Sequence, residues 1–454
     1  MSDAAPQQPT FDPNAAHQQK PQLRRIRAFP IPAKTPDGKD IQLLGVADAQ
    51  QISPKIVGMQ PAMQLVLPHM TGENTLDEIA ASVGKGLTAQ MLEGIVAQLD
   101  EAGLLVGPTF DAMFDEMKQA FDGSDTLPPG GTAQFADALV MQELGQDASD
   151  EDKAKHGPEK LRAAIDGWID AALKDAEAPA FDALPAAVVA PHIDYPRGWM
   201  NYAHIYGRLR TTERPDRIVI LGTNHFGMAT GVCGVDKGFE TPLGTSPADT
   251  ALFDAVKSRL GEDGSARYME HRYDHEREHS IELHLPWIQH CLGADDAGNH
   301  IPVFAALVHD PSVNSGESYD GNGLALDPFV EALKGALEEV GGRTLIVSSA
   351  DLSHAGPAFG DQQPLAGDSA EAASARDRVA TVDREMLEHV TSAKPDDLVS
   401  SMAWQQNPTR WCSVGNLTAT MQLVNPTDVK VLNYGAAMDP QGMTLVSHAA
   451  IVMN

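Results

Sequence analysis

The chain has 454 residues, 42% of them hydrophobic, enough apolar material for two or three packed domains. Its 33 basic and 63 acidic residues leave a formal charge of −30, which excludes nucleic acid as a partner because the phosphates would be repelled. Three cysteines, Cys233, Cys291 and Cys412, lie far apart and in no CxxC pair, which excludes a disulfide scaffold and points to a reducing cytoplasm.

The first residues, MSDAAPQQPTFDPNAAHQQKPQLRR, contain no apolar h-region and are no secretory signal. Their Pro, Gln and Ala content predicts a disordered lead-in over 1–22. No stretch of the chain is long and apolar enough to span a bilayer, so no membrane association is expected.

A first module is expected over 23–117. Ile41 to Leu44 reads as a strand and Pro61 to Met70 as a short helix. Thr75 and Glu78 form a capping box at the head of a helix that runs through Val83. A second helix from Thr88 places Met91, Leu92, Ile95, Val96 and Leu99 on one face, and Gly103 supplies its left-handed terminus before Leu104–Val106 returns as a strand. Strand, helices and strand make a winged-helix, α+β outline. The stretches MTGENTLDEIAASV and MLEGIVAQLDEAGLLV look like the PqqD-like module, in which a peptide adds to a sheet edge. A structural appendage and a working peptide binder both fit. No helix there is rich enough in Lys and Arg to read DNA.

Residues 118–158, with DTLPPGG and the acidic run QDASDEDKAK, read as a linker. An α/β domain is expected over 159–454. It opens on an amphipathic helix with apolar residues at 161, 165, 168, 169 and 172. Strands are expected at Ala187–Ala190, Arg217–Leu221, Ile301–Val308, Thr344–Ser348 and Thr444–Val452, alternating with helices at Trp199–Leu209, Ala248–Leu260, Glu278–Cys291, Pro328–Val340, Ser374–Val390 and Gly415–Val424. This alternation predicts a central, mostly parallel sheet flanked by helices on both faces.

The chemistry-bearing residues follow the strands. Val188–Ala190 runs into Pro191-His192-Ile193-Asp194, Ile218–Leu221 into Gly222-Thr223-Asn224-His225, and Leu345–Val347 into Ser348-Ser349-Ala350-Asp351-Leu352-Ser353-His354. Val303–Val308 ends at His309. Ligands of open α/β sheets bind outside the carboxyl ends of the strands, so these histidines share one rim. His192 and His225 are one βαβ unit apart, a spacing that suits neighbouring strands and a shared cation, since neutral imidazole is a common ligand for zinc, iron and copper. In HRYDHEREHSIELHLPWIQH neither HExxH nor its inverted form occurs, which disfavours a zincin. His279 and Glu282 would share a helical face at the pocket mouth, with His279 as a candidate general base, while His275 and His290 read as solvated. Gly-x-Ser-x-Gly elbows and glycine-rich phosphate cradles are absent after the strands.

Five blocks, PHIDYPRG, GTNHFG, FETPLG, EHSIELHLPW and SSADLSHAG, occur in this order and resemble the Memo family, also called AmmeMemoRadiSam system protein B, from about Ala180 to the C-terminus. The resemblance implies a fold similar to class III extradiol dioxygenases, whose mononuclear non-haem Fe(II) lies at the strand ends beside an acid/base histidine. It implies His192 and His225 as ligands of a divalent metal, iron(II) first and copper or zinc otherwise, with His279 in the place of the base. It also implies a third ligand in the last block, at a place held by Ser353, a weaker donor than a thiolate. Asp351, His354, Asp194 or water are the alternatives that could complete the site, and Asp194, Asn224, Glu282, Asp351 and His354 are further pocket candidates. Cys412, in RWCSVGN, matches a Cys-Gly block before a helix; it either packs as a small apolar residue in the core or lines the pocket, where the helix N-terminus would lower its pKa. Two functions follow as expectations. One is an iron-dependent redox enzyme or dioxygenase acting on a small oxygenated molecule. The other is a non-catalytic protein that binds a peptide or partner, with AMMECR1-like and radical SAM proteins as the partners the family name implies.

Overall fold

The computed structural model describes residues 9–35, 37–363 and 365–454, which fall into two compact units dividing at Gly123/Ser124. Much of the lead-in expected to be disordered, residues 1–8, lies outside the described residues. The rest of it is ordered: α1 (Ala16–Gln19) is followed by a bridge from Gln22 to Thr71, and His17 and Gln18 both bond the Asp100 carboxylate.

The first unit carries an antiparallel meander of β1 (Ile26–Lys34), β2 (Asp40–Asp48) and β3 (Ile56–Met59). Pro61–Leu65 and Leu67–His69 form two 3-10 turns where one short helix is expected. Helices α2 (Leu76–Val83), α3 (Ala89–Glu101) and α4 (Pro108–Asp122) follow. The capping box is present: Thr75 Oγ1 accepts from the Glu78 N–H at 3.3 Å and the Glu78 carboxylate accepts from the Thr75 N–H at 2.8 Å. Leu92, Val96 and Leu99 are fully buried against Ile79 and Leu104, whereas Met91, expected on that face, is exposed. Gly103 has φ of 66°, the left-handed helix end its position requires. Strand β1 is an edge strand and carries Pro30 and Pro32. Proline has no N–H to donate, so both sit on the outward side of the ladder, and that edge lacks donors at positions 30 and 32 for an added strand.

The second unit begins inside the stretch read as a linker. After β4 (Thr126–Leu127), helix α5 (Gly131–Leu144) and the long α6 (Asp150–Leu173) form an antiparallel pair, with Ala136 facing Gly157. The linker reading is therefore corrected: polar, acidic surfaces on these helices conceal a buried line of Ala136, Val140, Leu161, Ile165 and Ile169. The remaining elements are β5 (Ala187–Ala190), α7 (Tyr195–Leu209), β6 (Arg217–Thr223), β7 (Cys233–Gly234), β8 (Gly238–Thr241), β9 (Gly244–Ser246), α8 (Thr250–Met269), α9 (His279–Glu282), α10 (Leu285–Leu292), β10 (Val303–Val308), α11 (Leu326–Val340), β11 (Thr344–Ser349), β12 (Asp351–Ala355), α12 (Ala370–Thr391), α13 (Pro395–Gln405), α14 (Val414–Val424), β13 (Val429–Met438) and β14 (Leu445–Met453).

The main sheet has the order β12-β14-β5-β11-β6-β10-β7, with β13 also paired to β14. Its centre, β5-β11-β6-β10, is parallel, and the flanking strands are antiparallel. The central strands are buried throughout, as the helices on both faces require. Alternate residues such as Val189, Val219, Phe304 and Ile346 pack into one core with α8, α11 and α14. Helix α7 covers the other face, against β5 and β14. Strand β11 lies between β5 and β6, so His192 and His225 are not on neighbouring strands as their spacing suggested. The helix expected at Glu278–Cys291 breaks into α9 and α10, with Pro286 in the first turn of the second.

At the opposite end of the sheet, Arg217 on β6 pairs with Asp249 at 2.7 Å, both nearly buried, and the other Asp249 oxygen caps α8 through the Leu252 N–H at 3.0 Å. Removing the carboxylate leaves a buried guanidinium without its counter-charge. Asp249→Ala should therefore lower the unfolding free energy by about 3 kcal/mol in urea denaturation followed by circular dichroism. Asp249→Asn keeps the cap and should cost clearly less than the alanine; equal losses would mean the cap contributes nothing, and no loss in the asparagine variant would mean the same of the ion pair.

Candidate metal centre and cleft

Three histidines meet above the carboxyl end of β11. The ring centroids of His192 and His225 are 5.0 Å apart, those of His225 and His279 4.8 Å, and those of His192 and His279 5.7 Å. Convergence across an intervening strand is possible because β11 ends in Ser348-Ser349-Ala350, side chains too small to fill the space between β5 and β6. Gly222 serves the same closeness, since a Cβ there would come within 2.6 Å of Ser280 Oγ and Ile281 Cδ1.

Each imidazole is fixed from behind. Ser349 Oγ donates to the Ser280 carbonyl at 2.6 Å, so toward His192 Nδ1, 2.9 Å away, it accepts. His192 therefore carries its proton on Nδ1 and turns a bare Nε2 toward the cleft. His225 Nδ1 lies 3.1 Å and His279 Nδ1 3.2 Å from Glu278 Oε1, which leaves the Nε2 of each ring free of that contact. Glu278 also accepts from the backbone N–H groups of His225, at 2.7 Å, and Ser280, at 2.9 Å. Burial opposes its charge, but the two imidazoles outweigh burial and hold its carboxyl well below the usual range. Burial lowers the His279 pKa and the Glu278 contact raises it further, so that His279 stands above the ordinary histidine value. Burial, together with His225 and His279, pushes His192 well below it, so His192 is neutral.

The third donor is Cys412. Its Sγ lies 3.3 Å from His192 Nε2, and ligand atoms of His192, His225 and Cys412 all fall within 4.8 Å of one another. The expected low thiol pKa is corrected: burial, then Asp351 and Glu278, push it well above the ordinary cysteine value. Such a thiol loses its proton readily only to a cation. A second group, His225, Glu278 and His279, meets the same distance criterion, but its atoms are already hydrogen-bonded to one another.

Ser353, expected as the third ligand, does not reach the centre. Its hydroxyl is buried against Asp383, Thr409 and the Trp411 indole N–H, because β12 turns residue 353 to the side opposite the cleft. Asp351 is brought in: Oδ1 accepts from the N–H groups of His192 at 3.0 Å and Ile193 at 3.2 Å, and Oδ2 lies 3.8 Å from His192 Nε2. His354 lines the cleft with its Nδ1 near the Leu352 and Arg410 carbonyls. Asp194 stands at the cleft mouth, capping α7 and pairing with Arg197.

The other candidates lie elsewhere. Asn224 shapes its own loop, donating to Asp274 and accepting from the Gly227 N–H, each at 2.8 Å. Glu282 turns away from the cleft to the N-terminus of α5, where it accepts from the N–H groups of Gly130, Gly131 and Thr132. His309 faces Glu317 and Tyr319, away from the ring of histidines. His275 is not solvated but buried, bonded to the Cys233 carbonyl, and burial brings its pKa down to about 4. His290 pairs with Asp166.

The centre opens into a cleft of about 740 Å³ whose walls include Phe135, Ile193, Tyr195, Phe226, Leu283 and Phe359. Sequence reasoning missed two of its makers. Glu278 was visible beside His279 in EHSIE but reads there only as a helix start. Phe135 was hidden in the stretch read as linker, although the spacing of Ala136 and Val140 already marks a helix. No helix among the described residues is long and apolar enough to cross a membrane.

A family model described as Memo-like protein matches residues 154–452. A MEMO1 family protein of Methanopyrus kandleri is 26% identical over 307 residues, covering 65% of this chain and 93% of that protein. One from Methanothermobacter thermautotrophicus is 27% identical over 292 residues, covering 63% and 90%. One from Thermus thermophilus is 23% identical over 383 residues, covering 84% and 99%. The match takes in the histidine ring, Cys412 and every strand of the main sheet, and the chain belongs to the Memo-like protein family.

Proposed function

We propose that this chain is a metal-dependent redox enzyme that holds iron(II) on His192, His225 and Cys412 and acts on a small oxygenated molecule bound in the cleft. The observation that carries this reading is the donor set. Two imidazoles with bare Nε2 atoms and one thiol converge on a point, each held in place from its far side, at the floor of an apolar cleft. Two imidazoles and a thiol gathered in this way suit a bound cation.

When bound, the ion would supply Lewis acidity and one-electron redox chemistry. The protein's own contributions are separate from that. Asp351 holds the turn that presents His192. Glu278 keeps His225 and His279 stacked, with the Nδ1 of each on one carboxylate oxygen. His279, at the cleft wall and with a raised pKa, retains a proton near neutral pH and can pass it to or from a substrate oxygen. The dioxygenase-like fold that the family resemblance implies supports dioxygen as co-substrate, with a thiol as the third donor here. A thiolate ligand also suits copper or zinc, so the metal assay decides among the three. A purely partner-binding role, with a peptide added to the first unit's sheet or an AMMECR1-like or radical SAM protein docked, is the second reading. The prolines on the β1 edge count against the peptide form of it.

Two measurements test the proposal. Metal content of anaerobically purified protein, read by mass spectrometry, should be near one iron per chain and should be lost in His192→Ala/His225→Ala. Cys412→Ala should weaken metal binding at least about tenfold and Ser353→Ala should leave it unchanged; the reverse pattern would restore Ser353 as the ligand and sink this site. His279→Gln should keep the metal and the fold while lowering turnover by about 10² to 10⁴ in oxygen-uptake assays with phenolic and other oxygenated substrates. Full activity in that variant would remove His279 from the chemistry.

A further inference from the structure

Helix α5 is a wall of the cleft that precedes the sheet in sequence, and it is tied to the acid/base turn by the Glu282 carboxylate. Glu282 is nearly buried, and its carboxylate accepts from Gly130 N at 2.8 Å, Gly131 N at 3.1 Å and Thr132 N at 2.9 Å, and from the Thr132 hydroxyl. These are the donors that the first turn of a helix leaves without partners, and a carboxylate is the group best suited to them. Three residues before Glu282, on the same one-turn helix, stands His279. Three residues after Thr132, Phe135 enters the cleft, its ring edge-on to Tyr195 at 5.2 Å and tilted against Trp168 at 5.7 Å. Glu282 thus fixes the first turn of α5, from which Phe135 enters the cleft.

Across from it, Phe226 leans on His279 at 5.7 Å and Phe359 stands edge-on to His354 at 5.2 Å. Three phenyl rings and four imidazoles line the cleft, so apolar ring faces stand beside polar nitrogens. Among the described residues that line the cleft, the one Arg or Lys, Arg197, is paired with Asp194. Such a lining suits an uncharged aromatic ring with one oxygen donor.

We propose that α5 is the substrate-selecting wall, that Phe135 is a specificity-determining residue for a single aromatic ring bearing an oxygen, and that Glu282 is the positioning residue that sets its reach. This rests on the reading of the cleft as the substrate site. The wall limits the ring that fits: one ring passes beneath Phe135, and a second fused or appended along the long axis meets it.

The test is calorimetric titration of phenol and of 4-phenylphenol into the full chain as purified, with metal content measured on the same samples. Wild type should prefer phenol. Phe135→Ala should move the affinity ratio toward 4-phenylphenol by about tenfold, and Phe135→Leu, which keeps apolar bulk and protects folding, should move it the same way by less. Glu282→Gln offers one acceptor and two N–H groups to donors that need acceptors, so it should release α5. In that background Phe135→Ala should add little, the non-additivity expected of two residues acting through one contact. If phenol binds and the ratio is unmoved by Phe135→Ala, with metal retained, the proposal fails while the metal-site reading stands. Additive effects of Glu282→Gln and Phe135→Ala would overturn the positioning role. Absence of binding by either phenol to a wild-type chain would overturn the cleft reading and this proposal together.

Discussion

The buried carboxylate of Glu278 is the constraint on which the centre depends. It sits behind two imidazoles and takes hydrogen bonds from the backbones of His225 and Ser280 as well as from the two rings. A buried charge survives only when it is surrounded by donors, and here the donors are the groups that must be aimed. The anion and the ring orientation therefore stabilise each other: moving either histidine leaves the carboxylate short of a partner. The same bonds place the Nδ1 of each ring on the carboxylate and leave each Nε2 free of it, which is the arrangement a metal or a substrate proton needs.

The sheet supplies the remaining precision. Parallel strands β5, β11 and β6 deliver three loops to one rim, and the small residues at the end of β11 let His192 and His225 meet over a strand that separates their own. Asp351, just past β11, then fastens the His192 turn, while Ser413 beside Cys412 bonds the Asp351 carbonyl. Cys412 enters from the start of α14, whose face is buried against the same strands. Every donor is thus mounted on the sheet or on an element packed against it, so the ring geometry is held by the core rather than by loop residues alone.

Much of the fold was readable from local pattern. Apolar runs marked β5, β6, β10, β11 and β14 to within a few residues, because buried parallel strands are nearly continuous in Val, Ile and Leu. Thr75, Glu78 and Gly103 signalled their helix ends because capping chemistry is local. The segment around α5 and α6 was not readable as part of a domain, since most of its side chains are polar and its thin buried line is helical in period. His192, His225, His279 and Asp351 were found because each follows a strand or stands in a block that names it. Glu282 was misplaced because the helix that carries it stops after one turn, which redirects its side chain to α5.

Sequence alone determined the alternation of strands and helices, the rim on which the histidines lie and the likeness to the Memo family, because periodicity, capping and short blocks are encoded within a few neighbouring residues. Only the tertiary structure decided that β11 separates β5 from β6, that Cys412 rather than Ser353 faces His192, and that α5 walls the cleft. Those outcomes depend on which side of a strand a residue occupies and on contacts between segments more than 100 residues apart, such as His192 with Cys412, 220 positions away. No local pattern records them.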